Sequence, residues 1–134
     1  MTAKNESILK NKAILAVDDE PDFLTVMEEE ILEACPDCKF YKATTFNEAV
    51  ERIVSSNYDM VILDLLGVQG FRLADLVIKR RLPLTLLAAY PFSPEVLKHS
   101  FQIKAQGYFP KDRLGEIVPF LESVLKYQSC DASS

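Results

Sequence analysis

Strand and helix signals alternate along this 134-residue chain, and they predict an α/β fold: a doubly wound parallel sheet of five strands and five helices. Three observations carry the prediction. The runs Met60–Leu63 and Leu84–Ala89 are continuously apolar, as strands covered on both faces are. Helical apolar spacing fills the intervals between strand candidates, and the connections are short, which favours parallel pairing with helices on both sides. The length fits one domain and leaves little room for a second.

Residues 1–11 read as a polar lead-in, residues 12–127 as the folded domain and residues 128–134 as a tail. Lys12–Val17 is the first strand, ending in Asp18, Asp19 and Glu20. Pro21 opens a helix whose apolar positions are Phe23, Leu24, Met27, Ile31 and Leu32. Cys35-Pro36-Asp37-Cys38 breaks it, and Phe40–Ala43 is the second strand. Thr45 and Glu48 match a capping box for a second helix with Ala49, Val50, Ile53 and Val54 inward. Met60–Asp64 is the third strand, and Gly67 and Gly70 mark a turn. A third helix over Phe71–Ile78 ends in Lys79, Arg80 and Arg81, cations suited to its C-terminal dipole. Leu84–Ala89 is the fourth strand, and Ser93-Pro94 starts a fourth helix running toward Lys104. Gly107–Pro110 is the fifth strand, and Leu114–Tyr127 the fifth helix.

Composition excludes several classes. Hydrophobic residues make up 49% and charged residues 26%, and the net charge is −5. A net negative chain lacks the positive field that a general nucleic-acid or anionic-membrane surface needs. No stretch approaches the roughly 18 apolar residues of a membrane span. The run Ala13–Val17 is shorter than the roughly 7–15 residues of a signal-peptide core, so a cytoplasmic location is expected. Cys35 and Cys38 form a lone C-x-x-C without a second ligand pair, and they follow a helix rather than open one; ordinary cysteines are expected. Cys130 falls in the tail, and His99 reads as a helix-surface residue.

In an open α/β sheet, ligands bind beyond the carboxyl ends of the strands. Asp18 and Asp19 end the first strand, Asp64 ends the third and Lys111 follows the fifth, so the fold would gather them in one cleft. Clustered carboxylates suit a hard divalent cation such as Mg²⁺. A carboxylate beside such a cation can attack phosphorus, with metal and ammonium stabilising the charge on the phosphoryl oxygens. Taken singly, each residue has a plainer reading: Asp19 and Glu20 as acids at a helix N-terminus, Lys111 as a solvated loop residue.

Three segments carry a resemblance. VDDEPDF (17–23) resembles the acidic-pair segment of response-regulator receiver domains of bacterial two-component systems, MVILDL (60–65) their phosphoacceptor strand, and AQGYFPKD (105–112) the segment with their lysine and switch aromatic. The likeness covers about residues 12–127. It implies a flavodoxin-like strand order 2-1-3-4-5. It further implies that Asp18, Asp19, Asp64 and the backbone carbonyl of Leu66 hold Mg²⁺, that Asp64 takes the phosphoryl group, and that Lys111 stabilises it. Tyr108 would be the switch aromatic, or simply a packed one. The implied partners are a histidine kinase or histidine phosphotransfer protein and a downstream protein or output domain. Output would run through the fourth helix, fifth strand and fifth helix, with homodimerisation through that face as one option.

The sequence also departs from the pattern. The family usually has Thr or Ser at the end of the fourth strand, whose hydroxyl binds the phosphoryl oxygen; PLTLLAAY puts Ala88 there, with Thr85 three residues too early. The loop DLLGVQG after Asp64 is shortened and lacks the usual proline, and Asp112 replaces the proline that often follows the lysine. Two readings follow: a phosphorylatable receiver with Mg²⁺-dependent self-phosphorylation and autodephosphorylation, or a degenerate receiver acting as a phosphorylation-independent interaction module. A third, an aspartyl-phosphate hydrolase of another α/β family, would want an acid just after the nucleophile, where Leu65 and Leu66 stand.

Overall fold

The computed structural model describes residues 7–65, 67, 69–88, 98 and 105–133, with side chains as far as residue 127. The elements are β1 (Ala13–Val17), α1 (Pro21–Ala34), β2 (Lys39–Ala43), α2 (Phe46–Ser55), β3 (Met60–Asp64), α3 (Gly70–Lys79), β4 (Leu84–Ala88), β5 (Gly107–Pro110), a 3₁₀ segment (Lys111–Glu116) and α4 (Ile117–Ser133). All strand pairs are parallel and the order is β2-β1-β3-β4-β5. The helix expected from Ser93 toward Lys104, with His99, lies outside the described residues, as does Leu66.

Alternation along the strands builds two cores. Ile14 and Ala16 of β1 face one side with Met60, Ile62, Leu87 and Phe109, where Leu24, Met27, Ile31 and Leu121 of α1 and α4 cover them. Leu15 and Val17 face the other with Val61, Leu63, Leu84 and Leu86, beneath Ala49, Ile53, Leu73 and Val77 of α2 and α3. Successive strand side chains point to opposite faces, so a strand buried on both must be apolar throughout. Every residue of β3 and β4 is buried. β2 closes one edge of the sheet and shows mostly exposed residues, including Lys39 and Lys42, which discourage edge-to-edge pairing.

Local chemistry sets the helix starts. In α2 the Thr45 hydroxyl accepts the Glu48 N–H at 3.2 Å. The Glu48 carboxylate returns not to Thr45, as a strict capping box would, but to Thr44, accepting its N–H at 2.9 Å and its hydroxyl at 3.1 Å. Those bonds, the backbone one first, hold the Glu48 carboxyl below its ordinary value. The α3 start shows how the short loop after β3 closes. Gln69 takes left-handed φ of 54°, uncommon for a non-glycine residue. A Cβ on Gly70 would stand 2.4 Å from the carbonyl oxygens of both Asp64 and Leu65, so the first turn of α3 presses directly on the end of β3. Only glycine permits that approach.

Residues 7–11, expected as a polar lead-in, are bound into the domain. Leu9 is fully buried in the α1/α4 core, the Ser7 hydroxyl donates to Glu122 at 2.5 Å, and the Asn11 N–H donates to the Asp37 carbonyl at 3.1 Å. The pair Ile8 and Leu9 among polar residues is too short for a periodicity to reveal it. Residues 128–133, expected as a tail, continue the backbone of α4. Leu9→Ala should therefore lower unfolding stability by about 2–5 kcal/mol, as deletion of a buried leucine does elsewhere. Urea denaturation checks this; a change below about 0.5 kcal/mol would mean that the N-terminal turn does not seal the core.

Cys35 and Cys38 are buried thiols at the end of the sheet opposite the carboxyl ends of the strands. Burial, then the neighbouring Cys35 and Asp59, push the Cys38 thiol up to about 11. It points at the Lys12 carbonyl oxygen at 3.5 Å. The Cys38 thiol therefore stays protonated, and both side chains pack as small apolar groups.

Candidate functional site

The carboxyl ends of β1, β3 and β5 lie side by side because β1 and β4 both pair with β3 and β5 pairs with β4. Asp18 follows β1, Asp64 closes β3, and Lys111 is the first residue after β5. The structure brings the three together. Lys111 Nζ stands 2.8 Å from Asp18 Oδ2, 3.4 Å from Glu20 Oε1 and 3.6 Å from Asp64 Oδ2. Asp18 is 0% exposed and Asp64 8%, and the Lys111 side chain is 16% exposed.

Asp18 divides its two oxygens between structure and site. Oδ1 accepts the Glu20 N–H at 2.9 Å, a turn of the kind Asp makes with the backbone two residues on, and it aims the chain into Pro21 and α1. Oδ2 is buried and receives no properly directed hydrogen bond; Lys111 is within ion-pair distance but off the hydrogen-bonding direction. Burial raises the Asp18 carboxyl above its ordinary value and the nearby Asp64 charge adds to this, while Lys111 and the Glu20 N–H oppose them. Burial lowers the Lys111 ammonium, but Asp18, Asp64 and Glu20 outweigh it and the net direction is up. Each group is thus held away from solvent in a site where, among the described residues, four carboxylates, Asp18, Asp19, Glu20 and Asp64, stand against the one ammonium of Lys111.

That excess of negative charge fits a divalent cation. Asp18, Asp19 and Glu20 each offer an oxygen within 4.8 Å of the others. The donors are all hard oxygens, and Asp18 Oδ2 is a buried acceptor without a directed donor. Asp19 reaches the same space from the side. A methyl placed on Gly67 would sit 2.4 Å from Asp64 Oδ2 and 3.4 Å from Asp19 Oδ1. Gly67, read from the sequence only as a turn marker, therefore puts a bare Cα rather than a side chain against the Asp64 carboxylate. Glu20 and Phe23, on the first turn of α1, also meet Lys111 and were not singled out. Their i, i+3 spacing puts them on one helix face, but nothing in the sequence points that face at residue 111.

At the end of β4, Ala88 is 5% exposed and lies opposite Pro110. The only hydroxyl of β4, on Thr85, is fully buried inside the strand and points at the Met60 sulfur at 3.2 Å. It does not reach the strand end. Tyr108 on β5 is 40% exposed, whereas its neighbour Phe109 packs inward on Phe120 with ring centres 4.8 Å apart. Among the described residues no helix is long and apolar enough to cross a membrane.

No protein-family model matches the chain. In sequence it is similar to the two-component response regulator ORR24 of rice, in both the indica and japonica subspecies, at 27% identity over 128 residues. Those residues are 90% of this chain and 20% of the relative, so the chain spans about a fifth of the length of the curated relatives it matches. In structure it is similar to a CheY-like receiver domain protein from Methanospirillum hungatei, with TM-score 0.78 and 19% identity over 90% of this chain and 98% of the other. It is also similar to the receiver domain of the putative response regulator NarL from Mycobacterium tuberculosis, with TM-score 0.74 and 23% identity over 87% and 98% of the two chains. The N-terminal domain of a response regulator/sensory box/GGDEF protein from Carboxydothermus hydrogenoformans gives TM-score 0.73 and 24% identity over 90% and 99%.

The strand order and the structural likeness give this chain the fold of a response-regulator receiver domain, and its sequence is similar to that of the rice response regulators. Within that fold, this chain has alanine at the end of β4 and only residues 65–69 between β3 and α3. The curated relatives are plant proteins, so the likeness does not confine it to bacteria, where the sequence alone had placed it.

Proposed function

We propose that this receiver takes a phosphoryl group on Asp64 from the phosphohistidine of a histidine kinase or phosphotransfer protein, and loses it slowly to water. The observation that carries the reading is the convergence of Asp18, Asp64 and Lys111 at the carboxyl edge of the sheet. An Asp64 oxygen attacks phosphorus, the bond from phosphorus to the donor nitrogen breaks, and the electron pair leaves with the imidazole. Asp64 is left as an acyl phosphate. Lys111 pairs with the negative charge on the phosphoryl oxygens, and the bare Cα of Gly67 leaves room for them. Asp18 and Asp19, with Asp64 and the Leu66 carbonyl, would hold Mg²⁺. When bound, Mg²⁺ supplies charge neutralisation and orientation to the transferring group. Water attacking phosphorus returns the free carboxylate and inorganic phosphate.

The test is incubation with Mg²⁺ and a small acyl phosphate such as acetyl phosphate. The chain gains the mass of one phosphoryl group, and a chelator prevents it. No gain together with no Mg²⁺ binding would favour the second reading, an interaction module that works without phosphate.

Ala88 favours that second reading in one respect. A methyl cannot donate to the phosphoryl group, and a hydrogen bond to a charged acceptor is worth about 1.5–3 kcal/mol. Phosphate on Asp64 would then bias the conformation weakly. Ala88→Thr supplies the hydroxyl and should shift the conformational equilibrium on phosphorylation by roughly tenfold or more, at about 1.4 kcal/mol per factor of ten. Amide spectra of the phosphorylated and free forms check this. If the variant's two spectra differ no more than the wild type's do, the missing hydroxyl is not the reason for weak switching.

For partners we propose the kinase or phosphotransfer protein and a downstream protein or output domain, in the cytoplasm and away from nucleic acid and membrane. The β5 side of the expected output face carries a cavity of about 530 Å³ lined by Tyr108, Pro110, Arg113, Glu116 and Phe120, room for a partner side chain. A homodimer through the same face is the alternative use of that surface.

A further inference from the structure

We infer that Phe23 is a positioning residue for Lys111, its ring face holding the ammonium over the carboxylate pair. Lys111 Nζ lies 4.6 Å from the centre of the Phe23 ring, inside the roughly 6 Å at which a cation is attracted to an aromatic face. The Lys111 side chain is 16% exposed, so that attraction is less screened than it would be at the surface. Glu20 and Phe23 occupy one face of the first turn of α1 and approach Lys111 together, Glu20 at 3.4 Å, while Asp18 and Asp64 approach from the sheet. A lysine carries four rotatable bonds and loses much freedom when fixed. Without the ring, the ammonium keeps its ion pairs to Asp18 and Glu20 and is drawn toward the exposed Glu20, away from the acceptor. Phe23 is half buried, and Leu24, Met27 and Ile31 supply the fully buried face of α1, so a smaller apolar residue would satisfy packing at 23. Only an aromatic satisfies the ammonium.

The catalytic meaning of this contact rests on phosphoryl acceptance by Asp64; the contact itself does not. The test compares Phe23→Leu with Phe23→Tyr in the full chain. In metal-free protein, the Lys111 ε-methylene protons should be shifted upfield by the ring in the wild type and in Phe23→Tyr, and return toward ordinary lysine values in Phe23→Leu. With acetyl phosphate and Mg²⁺, the maximal rate should fall roughly threefold to tenfold in Phe23→Leu and recover in Phe23→Tyr, with the half-saturating donor concentration unchanged. Should Phe23→Leu not fold, pentafluorophenylalanine at 23 keeps the shape, reverses the ring charge and should give the same losses. An unshifted ε-methylene in the wild type overturns the inference, and so does a Phe23→Leu rate equal to the wild type's. Equal slowing by Leu and Tyr also overturns it, because shape alone would then be at issue. If the wild type takes no phosphoryl group, the proposed function fails and the ε-methylene shift alone decides the contact.

Discussion

Asp64→Asn will leave the chain without any phosphoryl gain under conditions where the wild type gains one. The amide keeps the volume of the carboxylate at the end of β3, so the fold persists and the loss is specific. A neutral amide oxygen is a poor nucleophile toward phosphorus, and no neighbour can take its place. Asp18 is closer to Lys111 than Asp64 is, but its Oδ1 is committed to the Glu20 N–H and the residue is fully buried. Asp64 keeps some solvent exposure and has only the bare Cα of Gly67 against its Oδ2. The effect should be complete within detection by intact mass. Removing one of four crowded carboxylates should also relieve repulsion, so the variant should be as stable as the wild type or slightly more so. Phosphoryl gain by Asp64→Asn equal to that of the wild type would place the acceptor elsewhere.

Lys111→Met will have the next largest effect, on stability and phosphoryl transfer together. Methionine keeps much of the apolar stem and removes the one ammonium facing Asp18, Glu20 and Asp64. Breaking a buried ion pair from one side costs about 3–5 kcal/mol. Here the cost should be nearer about 2 kcal/mol, because Lys111 keeps partial solvent contact and Asp18 can protonate in response. The pH dependence has a definite sign. The folded Lys111 is raised above its ordinary 10.5, so its stabilisation is fully present below that value and is lost as pH rises through the higher folded one. Wild type and variant should therefore differ in urea midpoint at neutral pH and converge in strongly alkaline solution. Asp18 acts in the opposite part of the range. Its carboxyl is raised above 3.8 in the fold, so it favours folding below that value, and this advantage disappears as pH rises through the folded value. Mg²⁺ should recover part of the loss in Lys111→Met, since it meets the same carboxylates without a competing ammonium; at one hundred times its dissociation constant a ligand adds about 2.7 kcal/mol. Phosphorylation should slow by at least tenfold all the same, the ammonium being the phosphoryl group's protein-side cation. A variant as stable and as fast as the wild type would reduce Lys111 to a solvated loop residue.

Much of this arrangement was legible in the sequence, for a physical reason. A strand covered on both faces must be apolar almost throughout, so β3 was read with the bounds it has and β4 from its start at Leu84. Polar residues stand out where such runs stop, which is why Asp18, Asp64 and Lys111 could be assigned to one edge before any contact was known. Less legible was whatever depends on tertiary approach. Leu9 and its neighbour Ile8 make only a two-residue apolar pair in a polar stretch, and the burial of Leu9 comes from α1 and α4 arriving around it. Glu48 matched a capping box, yet its directed hydrogen bonds go to Thr44 rather than Thr45. Phe23 looked like one more apolar position of an amphipathic helix, and only the fold sets its ring beneath Lys111. The short DLLGVQG loop was visible as a departure, but that Gly70 closes it by seating α3 on the end of β3 needed the structure.

The claim that Asp64 is the acceptor can be tested most directly by trapping the bond itself. The chain is phosphorylated with acetyl phosphate and Mg²⁺, reduced with borohydride, which converts an aspartyl phosphate to homoserine, and mapped by peptide mass spectrometry. The expected result is homoserine at position 64 and nowhere else, dependent on Mg²⁺ and absent from Asp64→Asn. Homoserine at another aspartate, or an unmodified Asp64 in protein shown to bind Mg²⁺, would contradict it.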